Sequence, residues 1–156
     1  MAAEQFLRAC LDGLHDTRFE ILYTAFLSGL AEVLAMAGRP DEGLAAADEA
    51  VQRTERHNAF WWMPEALRIK GEVLMLSDKA DGTAAEEHFR RSLDLAHRQG
   101  ALSWELRAAT SLARMRRDQR RRCEARELLA AVYARFSAGF ETTDLSAAKR
   151  VLDEPI

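Results

Sequence analysis

Seven arginines, Arg114, Arg116, Arg117, Arg120, Arg121, Arg122 and Arg126, crowd one short segment of this 156-residue chain. A guanidinium is always charged and its planar fork donates two parallel hydrogen bonds, so such a cluster suits carboxylates and other oxyanions. From Arg98 to Arg126 there are nine basic and three acidic residues, a net of +6, whereas residues 1–60 hold five basic and ten acidic residues, a net of −5. The chain is therefore polar end to end. Two readings stay open for the cluster: a solvated turn whose arginine stems cover apolar surface, or a site for an acidic peptide or another domain. Nucleic acid fits poorly, because the whole chain carries −3 and no aromatic residue interleaves the arginines to stack on bases.

Covalent and metal chemistry find no comparable grouping. The chain lacks a Gly-rich Lys-Ser/Thr phosphate loop, a His-Glu-x-x-His and a Gly-x-Ser-x-Gly elbow. His15, His57, His88 and His97 are scattered, with no pair at the spacing that holds zinc on one helix face. His57 is placed instead to serve a helix C-terminus. Glu86 and Glu87 precede Arg90 and Arg91 by four residues, the pattern of surface ion pairs rather than of a catalytic dyad. Cys10 and Cys123 lack metal or redox spacing and suit a reducing compartment. The expectation is a non-enzyme with no catalytic residue, cofactor or metal.

The elements that must position these side chains are marked by small residues at a long period. Leu67-x2-Lys70-Gly71-x2-Leu74 is followed by Ala85-x3-Phe89, Leu27-x2-Leu30-Ala31-x2-Leu34 by Gly43-x3-Ala47, and Ala109-x2-Leu112-Ala113-x2-Arg116 by Ala125-x3-Leu129. Two helices approach closely where a side chain is missing, so Ala31, Gly71 and Ala113 are expected at helix crossings. Nine residues before each lies a bulky apolar residue, Leu22, Trp62 and Trp104, read as packing at the start of a first helix. This skeleton resembles the tetratricopeptide repeat. The periods of 40 and 42 exceed the usual length of about 34 and approach the HEAT and armadillo range. The pairing of a small residue in the first helix with Ala-x3-Phe in the second favours the tetratricopeptide-like reading, with the extra residues lengthening the helices. In the middle copy two extend the turn from Ser77 to Gly82.

Composition agrees with a soluble helical domain: 48% hydrophobic, 30% charged and three prolines. The longest apolar stretch, Ile21 to Leu30, is interrupted by Thr24, Ser28 and Gly29 and is too short for a bilayer, and no signal-peptide pattern opens the chain, so the expected location is the cytoplasm. Seven or eight helices are predicted, over about Glu4–Leu14, Arg18–Ala37, Asp41–His57, Pro64–Leu76, Thr83–Gln99, Ser103–Arg117, Arg121–Ser137 and Thr143–Asp153. Thr83-x2-Glu86 reads as a capping box and Ser103 as a further N-cap. The expected fold is all-α, a right-handed superhelical stack of antiparallel helix hairpins. It forms one domain over 1–156: a half repeat (1–16), three repeats (17–58, 59–100, 101–138) and a capping helix (139–156).

In such a stack the first helices line a concave surface, and a stripe at i, i+3, i+7, i+10 names its residues. The stripe is Glu65, Arg68, Glu72 and Met75 on one helix, Arg107, Thr110, Arg114 and Arg117 on the next, with Ser28, Glu32 and Ala35 before them. This candidate peptide-binding groove turns from acidic to basic, and complementary charge would orient a peptide in it.

Longer segments carry a narrower resemblance. Leu30-Ala31-Glu32-Val33-Leu34-Ala35-x2-Gly38-Arg39-Pro40-Asp41-Glu42-Gly43-Leu44, Arg68-Ile69-Lys70-Gly71-Glu72-Val73-Leu74 and Arg98-Gln99-Gly100-Ala101-x2-Trp104-Glu105-Leu106-Arg107-Ala108-Ala109 resemble the C-terminal tetratricopeptide regions of large bacterial signalling ATPases. Those proteins place an adenylate cyclase or winged-helix regulator first, an ATPase in the middle and the repeats last. The resemblance implies a protein-interaction or regulatory module whose partner is a protein, a peptide or another domain of the parent. The alternative is a self-associating scaffold, a homodimer through open repeat ends. Arg120 departs from the Gly usual between paired helices, and Lys79-Ala80-Asp81-Gly82 is an insertion.

Overall fold

Apolar residues recur at three- and four-residue spacing along the chain, and Gly or Pro breaks the pattern at short intervals. In a computed structural model, which describes residues 2–16, 20–58, 60–77 and 82–154, every regular element among the described residues is an α-helix. These are α1 (Ala2–Asp16), α2 (Glu20–Met36), α3 (Pro40–Arg56), α4 (Met63–Leu76), α5 (Gly82–Arg98), α6 (Leu102–Asp118), α7 (Arg122–Tyr133) and α8 (Thr143–Asp153). Pro40 and Pro64 each occupy a first turn, where the missing N–H costs nothing. His57 is the C-cap of α3. Most of the insertion, residues 79–81, lies outside the described residues.

Three expected helix ends move. α5 begins at Gly82, so Thr83 falls inside its first turn, and the Glu86 carboxylate accepts from Arg90 and Arg121. Ala101, not Ser103, is the N-cap of α6, without a side-chain cap. α7 stops at Tyr133 rather than Ser137 because tighter bonds take over, from Arg135 N–H to Val132 and from Phe136 N–H to Tyr133. That exit frees Phe136 to pack on the Leu106, Leu129 and Leu145 cluster.

Consecutive helices pack on one another through short turns, which makes neighbours antiparallel. The expected crossings are present. A Cβ on Gly43 would lie 2.8 Å from the carbonyl oxygen of Ala31, and one on Gly71 would lie 2.5 Å from the ring of Phe89. Phe89 is 1% exposed, so its ring has nowhere to move. The even-numbered helices also touch in a row, α2 on α4, α4 on α6 and α6 on α8. Polar contacts between them run in register, Trp62 to Ser28 and Arg68 to Glu32, then Arg107 to Glu65 and Ser111 to Glu72, so α2, α4 and α6 point the same way.

Aromatic rings tie the start of this row. Trp62 and Trp104 are half-buried and meet edge to face with centroids 5.2 Å apart, and Trp62 Nε1 donates to Ser28 Oγ at 3.2 Å. Leu22, expected at the equivalent position of α2, is instead 43% exposed. Among the described residues no earlier helix of the row is present to cover it.

Three helix ends share one termination motif. After α2, α5 and α6 the residues Gly38, Gly100 and Arg120 have φ of 78°, 65° and 64°. In each case the next amide reaches back five residues, Arg39 to Leu34, Ala101 to Ala96 and Arg121 to Arg116. Arg120 thus adopts the left-handed conformation that the other two turns give to glycine, at a cost of about 1–2 kcal/mol. Arg120→Gly is expected to raise unfolding stability by about 1 kcal/mol, and Gly100→Arg to lower it similarly, as measured by urea denaturation.

Candidate functional site

The row α2, α4, α6 and α8 lines a groove of 420 Å³. Its floor is an ion network centred on Arg68, which is 6% exposed although arginine is rarely buried unless paired. Arg68 forks onto Glu65 with bonds of 2.9 and 2.8 Å, and reaches Glu32 at 3.1 Å and Glu72 at 3.3 Å. Glu65, 2% exposed, also receives Arg107 at 2.8 Å, and Ser111 donates to Glu72 at 2.5 Å. Burial works against the charged form of Arg68. The hydrogen bonds from Arg68 to Glu65 and the charges of Glu65, Glu32 and Glu72 outweigh it, so the pKa of Arg68 is raised.

Six of the nine expected groove residues line the groove: Glu32, Arg68, Glu72, Arg107, Thr110 and Arg114. Glu65 lies beneath it as a counter-ion rather than on its surface. Met75 packs instead with the Ala85, Phe89, Leu112 and Met115 cluster, and Arg117 pairs with Asp118 at 2.9 Å and Glu154 at 2.7 Å. Both departures are i+10 positions, which sit about 80° from the start of the stripe at 3.6 residues per turn. The i+11 position, about 20° from the start, takes the place: Leu76 lines the groove and is 54% exposed.

Sequence reasoning missed the contribution of α8, which supplies Thr143, Asp144, Ala147 and Arg150, and that of Met36, 80% exposed at the end of α2. A basic residue on the outer face of a terminal helix was the available signal for Arg150. Of the charged side chains in the groove, Arg114 and Arg150 are exposed with no ion-pair partner among the described residues, whereas Glu32, Glu72, Asp144, Arg68 and Arg107 are all paired. The groove therefore offers unpaired positive charge at its α6–α8 side and the exposed apolar side chains of Met36 and Leu76 at its α2–α4 side.

The arginine cluster divides rather than forming one patch. Arg116 and Arg121 converge on Glu86 at 3.3 and 3.0 Å, and Arg121 also holds Glu124 at 2.7 Å. Only Arg114 of the seven lines the groove. No group of three or more His, Cys, Asp or Glu that could hold a metal occurs among the described residues, and no described helix is long and apolar enough to cross a membrane. No family model matches the sequence, and no curated protein matches it.

Removing one partner from a buried ion pair leaves the other charge uncompensated. Glu65→Ala is expected to cost about 3–5 kcal/mol in chemical denaturation, and the apolar double variant Glu65→Leu/Arg68→Met to recover a large share of that loss. Glu86 ties α5, α6 and α7 together by a network that titrates. Burial raises its pKa, but hydrogen bonds from Arg116, Arg90 and Arg121 outweigh burial and hold it below the ordinary 4.5. The stability it contributes is complete above the unfolded value and is lost as pH falls through the lower folded value. Glu86→Gln is expected to lower stability at neutral pH and to flatten its decline below pH 4.5, measured by thermal unfolding across acidic buffers.

Proposed function

We propose that the chain is a tetratricopeptide-like array, a right-handed superhelical stack of helix hairpins, whose groove docks an acidic peptide segment. In this reading it is a non-catalytic interaction or regulatory module of the cytoplasm, the C-terminal docking region of a larger bacterial signalling ATPase or cyclase. The parallel row of α2, α4 and α6 with antiparallel partners supports the array, and the residue patterns quoted above support the parent. Free Cys10 and Cys123 support the compartment. The observation that carries the docking function is the imbalance of free charge. Acidic groups of the groove are consumed by Arg68 and Arg107, and Arg114 and Arg150 are left to meet an anion.

Such a peptide places carboxylates against Arg114 and Arg150 and an apolar side chain toward Met36 and Leu76. Arginine forks favour carboxylates over neutral amides, and rim charges give salt-dependent association. Selection from a random peptide library is expected to yield sequences that combine an acidic run with an apolar residue. Arg114→Glu/Arg150→Glu is expected to weaken the selected peptide about tenfold or more in fluorescence anisotropy. Selection of peptides without acidic residues, or binding indifferent to the double variant, would reject the reading.

A second reading rests on Phe6, which is 64% exposed on α1, together with exposed Leu22 on α2. Exposed apolar side chains on these two helices would let copies of the chain associate there, and a mass that rises with concentration in analytical ultracentrifugation would favour it.

A further inference from the structure

All three tryptophans of the chain stand in one edge-to-face run. Trp61 meets Trp62 with ring centroids 5.3 Å apart and planes at 68°, and Trp62 meets Trp104 at 5.2 Å and 80°. The middle ring is fixed by its bond to Ser28. Packing within the row accounts for Trp62 and Trp104. It does not account for Phe60 and Trp61, two large aromatic side chains next to each other in the chain that are 48% and 49% exposed.

The run continues the groove. Arg107 lines the groove and holds its guanidinium 5.5 Å from the centre of the Trp104 ring. At about 100° per residue, Trp104, Arg107, Ser111 and Arg114 fall within about 80° of arc on α6. Trp104 lies ten residues before Arg114, about 15 Å along the helix axis. An extended peptide covers that distance in about five residues. A segment whose carboxylates meet Arg114 can therefore bring a residue about five positions away onto the rings.

The chemistry of the rings narrows what that residue is. The indole N–H of Trp62 is taken by Ser28, whereas those of Trp61 and Trp104 have no partner among the described residues, and that of Trp104 is not shut off from water. The run thus offers apolar ring surface beside open donors. A cationic side chain would lack a counter-charge, because Glu65 is buried and held by Arg68 and Arg107, and Arg107 itself stands over Trp104. A polyproline II segment answers both features: its rings are apolar and pre-stiffened, and its carbonyls are left without internal hydrogen bonds. We propose that the tryptophan run is a second subsite of the groove, which takes a polyproline II segment about five residues from the carboxylates of the docked peptide. This inference rests on the groove reading above and adds a second, separable anchor to it.

Two labelled peptides are compared on the full chain by fluorescence anisotropy: Glu-Glu-Glu-Leu, and the same sequence joined through four glycines to tetraproline, made in both chain orders. In one order the tetraproline peptide is expected to bind about tenfold more tightly than the acidic one. Because no tryptophan lies elsewhere in the chain, indole emission reports on this subsite, and it is expected to shift to the blue as Trp61 leaves water. Trp61→Ala is expected to abolish the gain and to leave the affinity for the acidic peptide unchanged, which also shows that the variant folds. Arg114→Glu/Arg150→Glu is expected to weaken both peptides. Equal affinity of the two peptides, a gain that Trp61→Ala preserves, or an equal gain from tetraleucine or tetralysine in place of tetraproline would overturn the subsite while binding of the acidic peptide upholds the groove. Binding of the tetraproline peptide that needs Trp61 but ignores the arginine pair would uphold the subsite and reject the acidic reading. Absence of binding by either peptide would overturn both.

Discussion

A guanidinium shut off from water must collect its counter-charges from whatever surrounds it, and Arg68 collects them across three helices. Its own helix supplies Glu65 and Glu72, α2 supplies Glu32, and α6 supplies Ser111 while lending Arg107 to Glu65. Apolar contacts between these helices are tolerant of small slides, because dispersion is non-directional. Bonds to a planar fork are not tolerant. The network therefore fixes the register of α2, α4 and α6 relative to one another, and with it the position of every side chain in the groove above.

The same network explains why a groove rich in charge has so little of it to offer. Three carboxylates face two arginines across the row, and each is spoken for. Binding energy must come from groups whose free state is solvated and unpaired, since breaking a desolvated pair to make another gains little. Arg114 and Arg150 meet that condition, and they come from helices far apart in sequence. α8 thereby acts as a wall of the site as well as a cover for the Leu106, Leu129 and Leu145 cluster.

Helix count, most helix positions and the small-residue crossings were legible because they depend on local spacing. Ala31 sits where two backbones nearly touch and Gly71 where the ring of Phe89 fills the space of a missing side chain, and any single sequence shows the gap in its side-chain sizes. The groove was legible only to the second turn of each helix. A straight stripe drifts around the helix, so Met75 and Arg117 leave it while Leu76 enters. Pairing was not legible at all: Glu65 and Glu72 look alike in the sequence, yet one is buried beneath Arg68 and the other stands beside it at the groove wall. Nor does local spacing reveal that α8 returns to α6, because that contact joins elements separated by the whole of α7.

The left-handed arginine at the α6–α7 turn shows that this chain tolerates an unfavourable backbone where its hydrogen bonds are complete. The groove divides its residues along a related line. Glu65 and Arg68 can change only together, whereas Arg114, Arg150, Met36 and Leu76 touch solvent and hold nothing else in place. Mutation is free to rewrite the second group while the first keeps the helices in register. A scaffold arranged this way exchanges one partner for another through surface drift, with its architecture shielded from the search.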